Sequence, residues 1–392
     1  MRDGPVLIAG AGIAGLTAAL ALSARGISVR VYERATAFEQ VGAGIQLSPN
    51  ATRILFGLGL HEPLLAAAVR PEAVVLRDAA TLRQLASVRL GAWGEQRWGA
   101  PYLVLHRATL HRVLLDAATS DERIAIATGA TAQMARQDGP GLLLSGNGEG
   151  NEAGGGLIVA ADGVGSALRR SPATSTGLTA WRAQIPPDAV RAMPAETGLR
   201  DEMVAAFLHA RAHLVAYPMR DGSFNLVGIA PSTGKAGDDA DRLGFLRAFD
   251  TAAEPLRKLV RAQAWTAWPI LTVKPAASKF APGPGVVAIG DAAHAMTPFA
   301  AQGAAMAIED AVTLAMAVSP PGEEQQALSG WAAARSERVK RVARRGWLNG
   351  LAWHAAGPVA LARNLFLETR SPERLAADLD WLYGWDASSG GR

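Results

Sequence analysis

Cysteine is absent from this 392-residue chain, which excludes disulfides, cysteine-zinc sites and thiol chemistry and leaves any redox work to a bound cofactor. Charge is sparse as well. Only 19% of residues are charged against 49% hydrophobic, so the chain is globular with a large core, and its length favours two or three structural units. The net charge of +4 comes from a basic side that is almost all arginine, suited to an acidic cofactor or an anionic substrate. Those arginines are scattered along the chain. They lack the clustered stripe and recognised module of a nucleic-acid-binding protein, so no nucleic acid is expected. Internal repeats are missing too, and no metal is expected.

One run imitates a targeting signal. Residues 5–24, PVLIAGAGIAGLTAALALSA, are uncharged and largely apolar behind Arg2, the pattern of a signal peptide or membrane span. Three glycines, Gly10, Gly12 and Gly15, would serve a lipid-facing helix poorly, and Asp3 cancels the positive end a signal needs. The run therefore reads as a short strand, a glycine turn and a buried helix, with no membrane span and a cytoplasmic location. A second strand, SVRVYE, ends at Glu33, with seventeen residues between it and Gly15. In such a βαβ unit Gly10 permits the tight turn, Gly12 lets backbone approach a pyrophosphate, Gly15 lets helix and strand pack closely, and the helix N-terminus faces the phosphates. Glu33 stands where a carboxylate accepts hydrogen bonds from a ribose diol. On these residues alone the dinucleotide is FAD or NAD.

Two further loops repeat the pattern of an apolar strand stopping at an acid and a glycine. LIVAADGVGSALRR, residues 157–170, stops at Asp162-Gly163 before an expected helix carrying Arg169 and Arg170. VVAIGDAAHA stops at Gly290-Asp291 and leads into an alanine-rich helix. A glycine beside the acid keeps backbone close to a ligand while the carboxylate binds hydroxyls at the mouth of the sheet.

The order GxGxxG with Glu, then ADGxxS, then GDAAHxxxPxxxQGxxxAIEDA resembles the single-component FAD-dependent aromatic hydroxylases typified by p-hydroxybenzoate hydroxylase. VGAGIQLSPNATRIL at 41–55, HRATLHRVL at 106–114, HLVAYP at 213–218 and DWLYGWDA at 380–387 are similar to its salicylate hydroxylase and 3-hydroxybenzoate 6-hydroxylase branch. The resemblance implies non-covalent FAD, with NADH or NADPH as a transient co-substrate, O2, and a small aromatic substrate hydroxylated through a flavin C4a-hydroperoxide. It implies that Glu33 holds the adenosine ribose, Arg107 the pyrophosphate and Asp291 the ribityl chain, and that Asp162 serves the loop associated with FAD and the nicotinamide donor. It also places Gly10, Gly12, Ala14, Gly15, Arg34, Gly44, Gly290, Pro298, Gly303 and Ala304 at the cofactor. The helix beginning around Ala301–Gly303 would aim its free N–H groups at the pyrimidine edge of the flavin.

With its three loops near the start, middle and end, the predicted fold is α/β. A discontinuous Rossmann-like FAD-binding domain (1–70, 101–175 and 276–345) carries an inserted, mostly antiparallel sheet (71–100 and 176–275) that roofs the flavin and holds the substrate. A C-terminal helical segment (346–392) follows. Residues 137–156 read as a hairpin with a Gly-rich tip. WAAARSERVKRVARRG, 331–346, reads as a basic helix with a solvated face.

A phenolic ring reacts best as phenolate, yet a phenol titrates near 10 as tyrosine does, so a base working near neutral pH is useful, and histidine is the usual one. His213 is chosen because strand alternation puts His213, Val215 and Tyr217 on one face and the segment resembles the family's base-bearing strand. Tyr217 is its expected partner or a substrate donor. Gln302 is expected to orient the substrate hydroxyl, and His294 to be a structural group under the cofactor. Phe299-Ala300-Ala301 is bulkier than some relatives show at this turn. Arg182 and Arg220 are the candidate clamps for a substrate carboxylate. The alternatives are an epoxidase or a hydroxylase of a larger polycyclic substrate, and a flavin-binding sensor without turnover. A flavin halogenase is disfavoured, since AWTAWPIL at 264–271 spaces its tryptophans differently and the first lysine is Lys235.

Overall fold

The computed structural model describes residues 4–38, 43–135, 141–146, 152–169, 171–193, 195–283, 285–318 and 324–387. Arg2, Asp3, Val41, Gly42, the 147–151 tip and Arg170 lie outside them. Two sheets organise the chain. The first is parallel and five-stranded, in the order Val286–Ala288, Leu157–Ala160, Val6–Ala9, Val29–Glu33 and Ile124–Thr128. The strands that precede the three acid-bearing loops are thus direct neighbours, and their C-terminal ends lie together at one edge, where ligands of such sheets sit. VLIA and LIVA are buried at every position, as expected of strands covered on both faces. The helix Ile13–Ser23 is buried along nearly its whole length and packs against the equally apolar helix Gly303–Val318. Both are core helices rather than amphipathic surface ones.

The second sheet has seven strands, in the order Thr266–Thr272, Thr174–Ile185, Phe224–Pro231, His213–Pro218, Met203–Leu208, Ala73–Asp78 and Gln84–Arg89. All neighbours are antiparallel except Met203–Leu208 beside Ala73–Asp78. Period-two alternation sorts its side chains. On the central strand Leu214 and Ala216 join a core with Phe207, Phe224 and Phe245, while His213, Val215 and Tyr217 point the other way, into a cavity.

Several expectations require correction. The 176–275 segment, expected to be mostly antiparallel sheet, also contains the helices Asp239–Arg247 and Glu254–Arg261. Asp238 caps the first by accepting from Asp241 N, and the second lays Leu256, Leu259 and Val260 on the sheet. No helix follows Asp162. The Gly163–Arg169 stretch is a chain of turns whose Ala167 N–H is taken by Asp162 Oδ2 at 2.8 Å. The basic helix does not stop at 346: it spans Glu324–Trp353, so the expected boundary at 345/346 falls inside one continuous helix. Its inner face is not solvated either, since Arg335 is buried against Glu309 and Asp310 and Arg338 against Glu309. The hairpin strands Gly141–Gly146 and Glu152–Gly154 do pair antiparallel. Among the described residues no helix is long and apolar enough to cross a membrane.

Candidate active site

A cavity of about 680 Å³ opens where the acid-bearing edge of the parallel sheet meets the His213 face of the antiparallel sheet. The glycine turn forms one end of it. Gly10 has φ of 103°, and a Cβ there would lie 2.5 Å from Ala161 O, so only glycine lets the turn pass this close to the second loop. Gly12, Ala14, Glu33, Arg34 and Arg107 line the cavity, while Gly15 packs inward, a Cβ on it meeting Gly10 O. The Glu33 carboxylate accepts from Ala11 N at 2.8 Å and Ala35 N at 2.9 Å. These two bonds fix the carboxylate at the strand end beside the glycine turn.

The other two loops face the first. Asp162 and Asp291 both line the cavity, and Asp162 Oδ1 is buried with no hydrogen-bond partner. Gly290, with φ of 60° and ψ of −143°, adopts a conformation reserved for glycine. A Cβ on it would lie 3.1 Å from both Ala14 and Ala307, and its N–H donates to Asp310 Oδ2 at 2.9 Å. Asp310 also receives His294 and Arg335, so His294 is the buried structural group expected. Arg169, which sequence reasoning had placed on a helix, stitches the loops together: its guanidinium donates to Ala292 O at 3.0 Å and Val164 O at 2.6 Å. The orphaned acceptor of Asp162, the side-chain-free approach at Gly10 and the helix N-terminus at Gly303–Ala304, which also lines the cavity, fit the sugar hydroxyls and phosphates of a dinucleotide. FAD meets those requirements.

Above this floor lies the substrate-sized space. Pro298–Ala300 is a short 3-10 turn and Ala301 takes the left-handed φ of 52°, which turns the next residue away from the cavity. Gln302 is therefore not in it. Its side chain is buried, donating from Nε2 to Ser48 Oγ at 2.9 Å and accepting from Asn50 Nδ2 at 3.3 Å; no expected contact with a substrate hydroxyl is available to it. Gly44 lines the cavity, and its N–H donates to Asn225 Oδ1 at 2.8 Å, tying the two-stranded Gly44–Leu47 ladder to the roof.

His213 lines the cavity with 1% of its surface exposed. Its ring packs against Phe299 and, edge to face, Trp353, and Nδ1 lies 2.9 Å from His354 Nε2. Burial, and then the neighbouring His354, push its pKa well below the ordinary imidazole value, so the ring is neutral and able to accept a proton. The expectation of a base titrating near neutrality is corrected accordingly. Burial raises Tyr217 far above an ordinary phenol, only partly offset by Arg182 and a hydrogen bond with Gln46. It stays a neutral donor. The HxxxH spacing of His209 and His213 builds no ligand pair, because His209 turns to Thr251 Oγ1 at 2.8 Å and stacks on Phe249. Among the described residues no group of three metal-ligating side chains gathers.

Of the two candidate clamps, Arg220 is exposed beyond the strand end and away from the cavity, whereas Arg182 lines it with Nε buried and unpartnered. Sequence reasoning missed a second such arginine. Arg345, Asn349 and Trp353 stand four residues apart on one face of the long helix, and all three line the cavity. Arg345 Nε is also buried without a partner, and Asn349 Nδ2 donates to Phe299 O at 3.0 Å. The signal was present as the i, i+4, i+8 spacing, but it crosses the point where the basic run ends.

The chain matches the FAD binding domain family over residues 3–345. It is 35% identical to 3-amino-4-hydroxybenzoate 2-monooxygenase of Streptomyces cremeus, covering 98% of this chain and 95% of that protein. It is 33% identical to 3-hydroxybenzoate 6-hydroxylase of Polaromonas naphthalenivorans, covering 99% and 97%. Among solved structures, Klebsiella pneumoniae HpxO, complexed with FAD and uric acid, superimposes with a TM-score of 0.82 at 25% identity, covering 97% of this chain and 96% of that one.

Proposed function

Because the chain belongs to the FAD binding domain family, and to the aromatic-ring monooxygenases within it, we propose how its residues divide the work of hydroxylating a small phenolic acid or hydroxylated heteroaromatic ring. The protein is an FAD-dependent aromatic monooxygenase. The observation that carries the assignment to this cavity is convergence: three acid-bearing loops distant in sequence and the His213 strand all border it. In this reading the FAD unit is built from 1–70, 101–175 and 276 onward through the Glu324–Trp353 helix, roofed by 71–100 and 176–275, with the helices that follow Trp353 closing one side. The enzyme works in the cytoplasm with O2 and a nicotinamide donor, and without nucleic acid.

When bound and reduced by the nicotinamide donor, FAD supplies the oxygen-activating chemistry. Glu33 and Asp291 would hold its sugar hydroxyls, the unpartnered Asp162 would add an acceptor, Arg107 and Arg34 would neutralise its phosphates, and Gly44, Pro298, Gly303 and Ala304 would complete its site. The remaining work is done on the substrate. The apolar walls given by Val215, Phe299 and Trp353 exclude water. Neutral His213 accepts the phenolic proton and Tyr217 donates a hydrogen bond to the ring oxygen, which together favour the electron-rich phenolate. A carboxylate on the ring meets Arg182 or Arg345, two cavity-lining arginines whose Nε atoms are buried without a partner. Support for a small ring comes from the hydroxybenzoates named for the two relatives.

The test is a panel of hydroxybenzoates, aminohydroxybenzoates and hydroxypyridines presented to the flavin-loaded protein. Stimulated NAD(P)H and oxygen consumption, with a product heavier by one oxygen atom, is the expected result. Nicotinamide oxidation that no aromatic compound stimulates would refute the reading.

A further inference from the structure

The proposed function needs the substrate's phenolic proton to pass from the cavity to solvent, and His213, which would take it, is itself buried. Its surroundings supply one exit. His213 Nδ1 lies 2.9 Å from His354 Nε2, while Phe299 and Trp353 pack against the ring. His354 is only partly buried, at the turn where the Glu324–Trp353 helix ends, and Phe299 stands edge-on against it as well. Two imidazoles in contact, one facing the cavity and one nearer solvent, form a continuous donor-acceptor path.

We propose that His354 relays the phenolic proton from His213 to bulk water. The reading rests on phenol hydroxylation as the function. The balance is simple. The substrate O–H bond breaks as its proton joins His213 Nε2, His213 Nδ1–H passes its proton to His354 Nε2, and His354 releases one from Nδ1 to water. Each ring ends neutral with its tautomer exchanged, and one proton has crossed from ring to solvent. Burial keeps both imidazoles below their ordinary value, so neither traps the proton in transit.

The charged groups around the pair do not supply a rival route. His209 lies close enough to depress His354 further, but its Nε2 is taken by Thr251. Asp78 at the end of its strand accepts from Asn364. Arg363 on the Gly357–Glu368 helix donates to Ala352 O and Trp353 O, and Arg211 is an exposed cation beside His209. The arginines cannot accept a proton, and the partner of His213 Nδ1 is His354.

The relay acts on the rate of proton loss, not on its extent, and can be read without turnover. Oxidised, FAD-loaded enzyme is mixed with 3-hydroxybenzoate in weakly buffered solution containing a pH indicator. Wild type should release one proton per substrate bound, at a rate independent of added imidazole. His354→Gln keeps an amide in place but cannot exchange protons, so release should slow by on the order of 10²-fold. The dissociation constant should hardly change, and imidazole should restore the rate. Release at the wild-type rate from His354→Gln overturns the relay. If that variant does not fold, wild type decides alone, because a release rate that climbs with imidazole shows that no internal path exists. Ring hydroxylation without proton release on binding overturns the relay and leaves the monooxygenase standing. Absence of phenol-stimulated turnover overturns both.

Discussion

Arg335 donates from Nε to Asp310 Oδ1 at 2.7 Å, and neither side chain reaches solvent beyond 3%. Through its other oxygen the same carboxylate receives Gly290 N–H and His294. The long C-terminal helix therefore holds, through one buried acid, the backbone that presents Asp291 to the cavity. Arg335→Met should leave Asp310 and Glu309 with too little positive charge and cost about 3–5 kcal/mol. Equilibrium urea unfolding measures that loss, and an unchanged midpoint would show the pair to be dispensable.

Gly290→Ala tests the same loop from the backbone side. The φ and ψ at Gly290 suit glycine alone, and the added Cβ meets Ala14 and Ala307. A strain of about 1–3 kcal/mol follows, and it falls where Asp291 begins. FAD affinity, followed by flavin fluorescence, should weaken more than the global melting point falls. Equal affinity for wild type and variant would separate Gly290 from cofactor binding.

Burial lowers the pKa of His213, His354 and His209 alike. In the unfolded chain such a ring takes up a proton as pH falls through about 6.5, whereas the folded chain holds off until its lower folded value. Between the two the unfolded state binds more protons, so stability is complete above about pH 6.5 and declines as pH drops below it. His213→Gln removes one contributor, at most about 1.4 kcal/mol per pH unit. Unfolding free energies of both proteins at about pH 7.5 and about pH 5.5 give the comparison. The variant should lose less on acidification, and an equal loss assigns the decline to other groups.

Arg182 and Arg345, which line the cavity with an unpartnered Nε, are the two candidates for holding a substrate carboxylate. Replacing the true partner with methionine removes a charge-assisted hydrogen bond of about 1.5–3 kcal/mol. KM for a hydroxybenzoate should then rise by about ten- to a hundredfold, with little change for the same phenol lacking a carboxylate. Steady-state kinetics with matched substrates decides which arginine acts. If neither variant discriminates between the two substrates, neither is the clamp.

The local patterns that nucleotide chemistry demands were legible in one dimension. A glycine turn flanked by buried strand and helix, acids at the ends of three apolar runs, and the His213–Val215–Tyr217 alternation are short-range consequences of strand and turn geometry. They could be read directly from spacing. Tertiary structure alone decided what each polar side chain has left to offer. Gln302 looked available until the left-handed Ala301 turned it onto Ser48 and Asn50. Arg335 looked solvated until Glu309 and Asp310 closed around it. His213 looked like a base near neutrality until Phe299, Trp353 and His354 excluded water from it. Desolvation and hydrogen-bond partnership depend on groups up to hundreds of positions away in sequence, so neither residue type nor periodicity carries them.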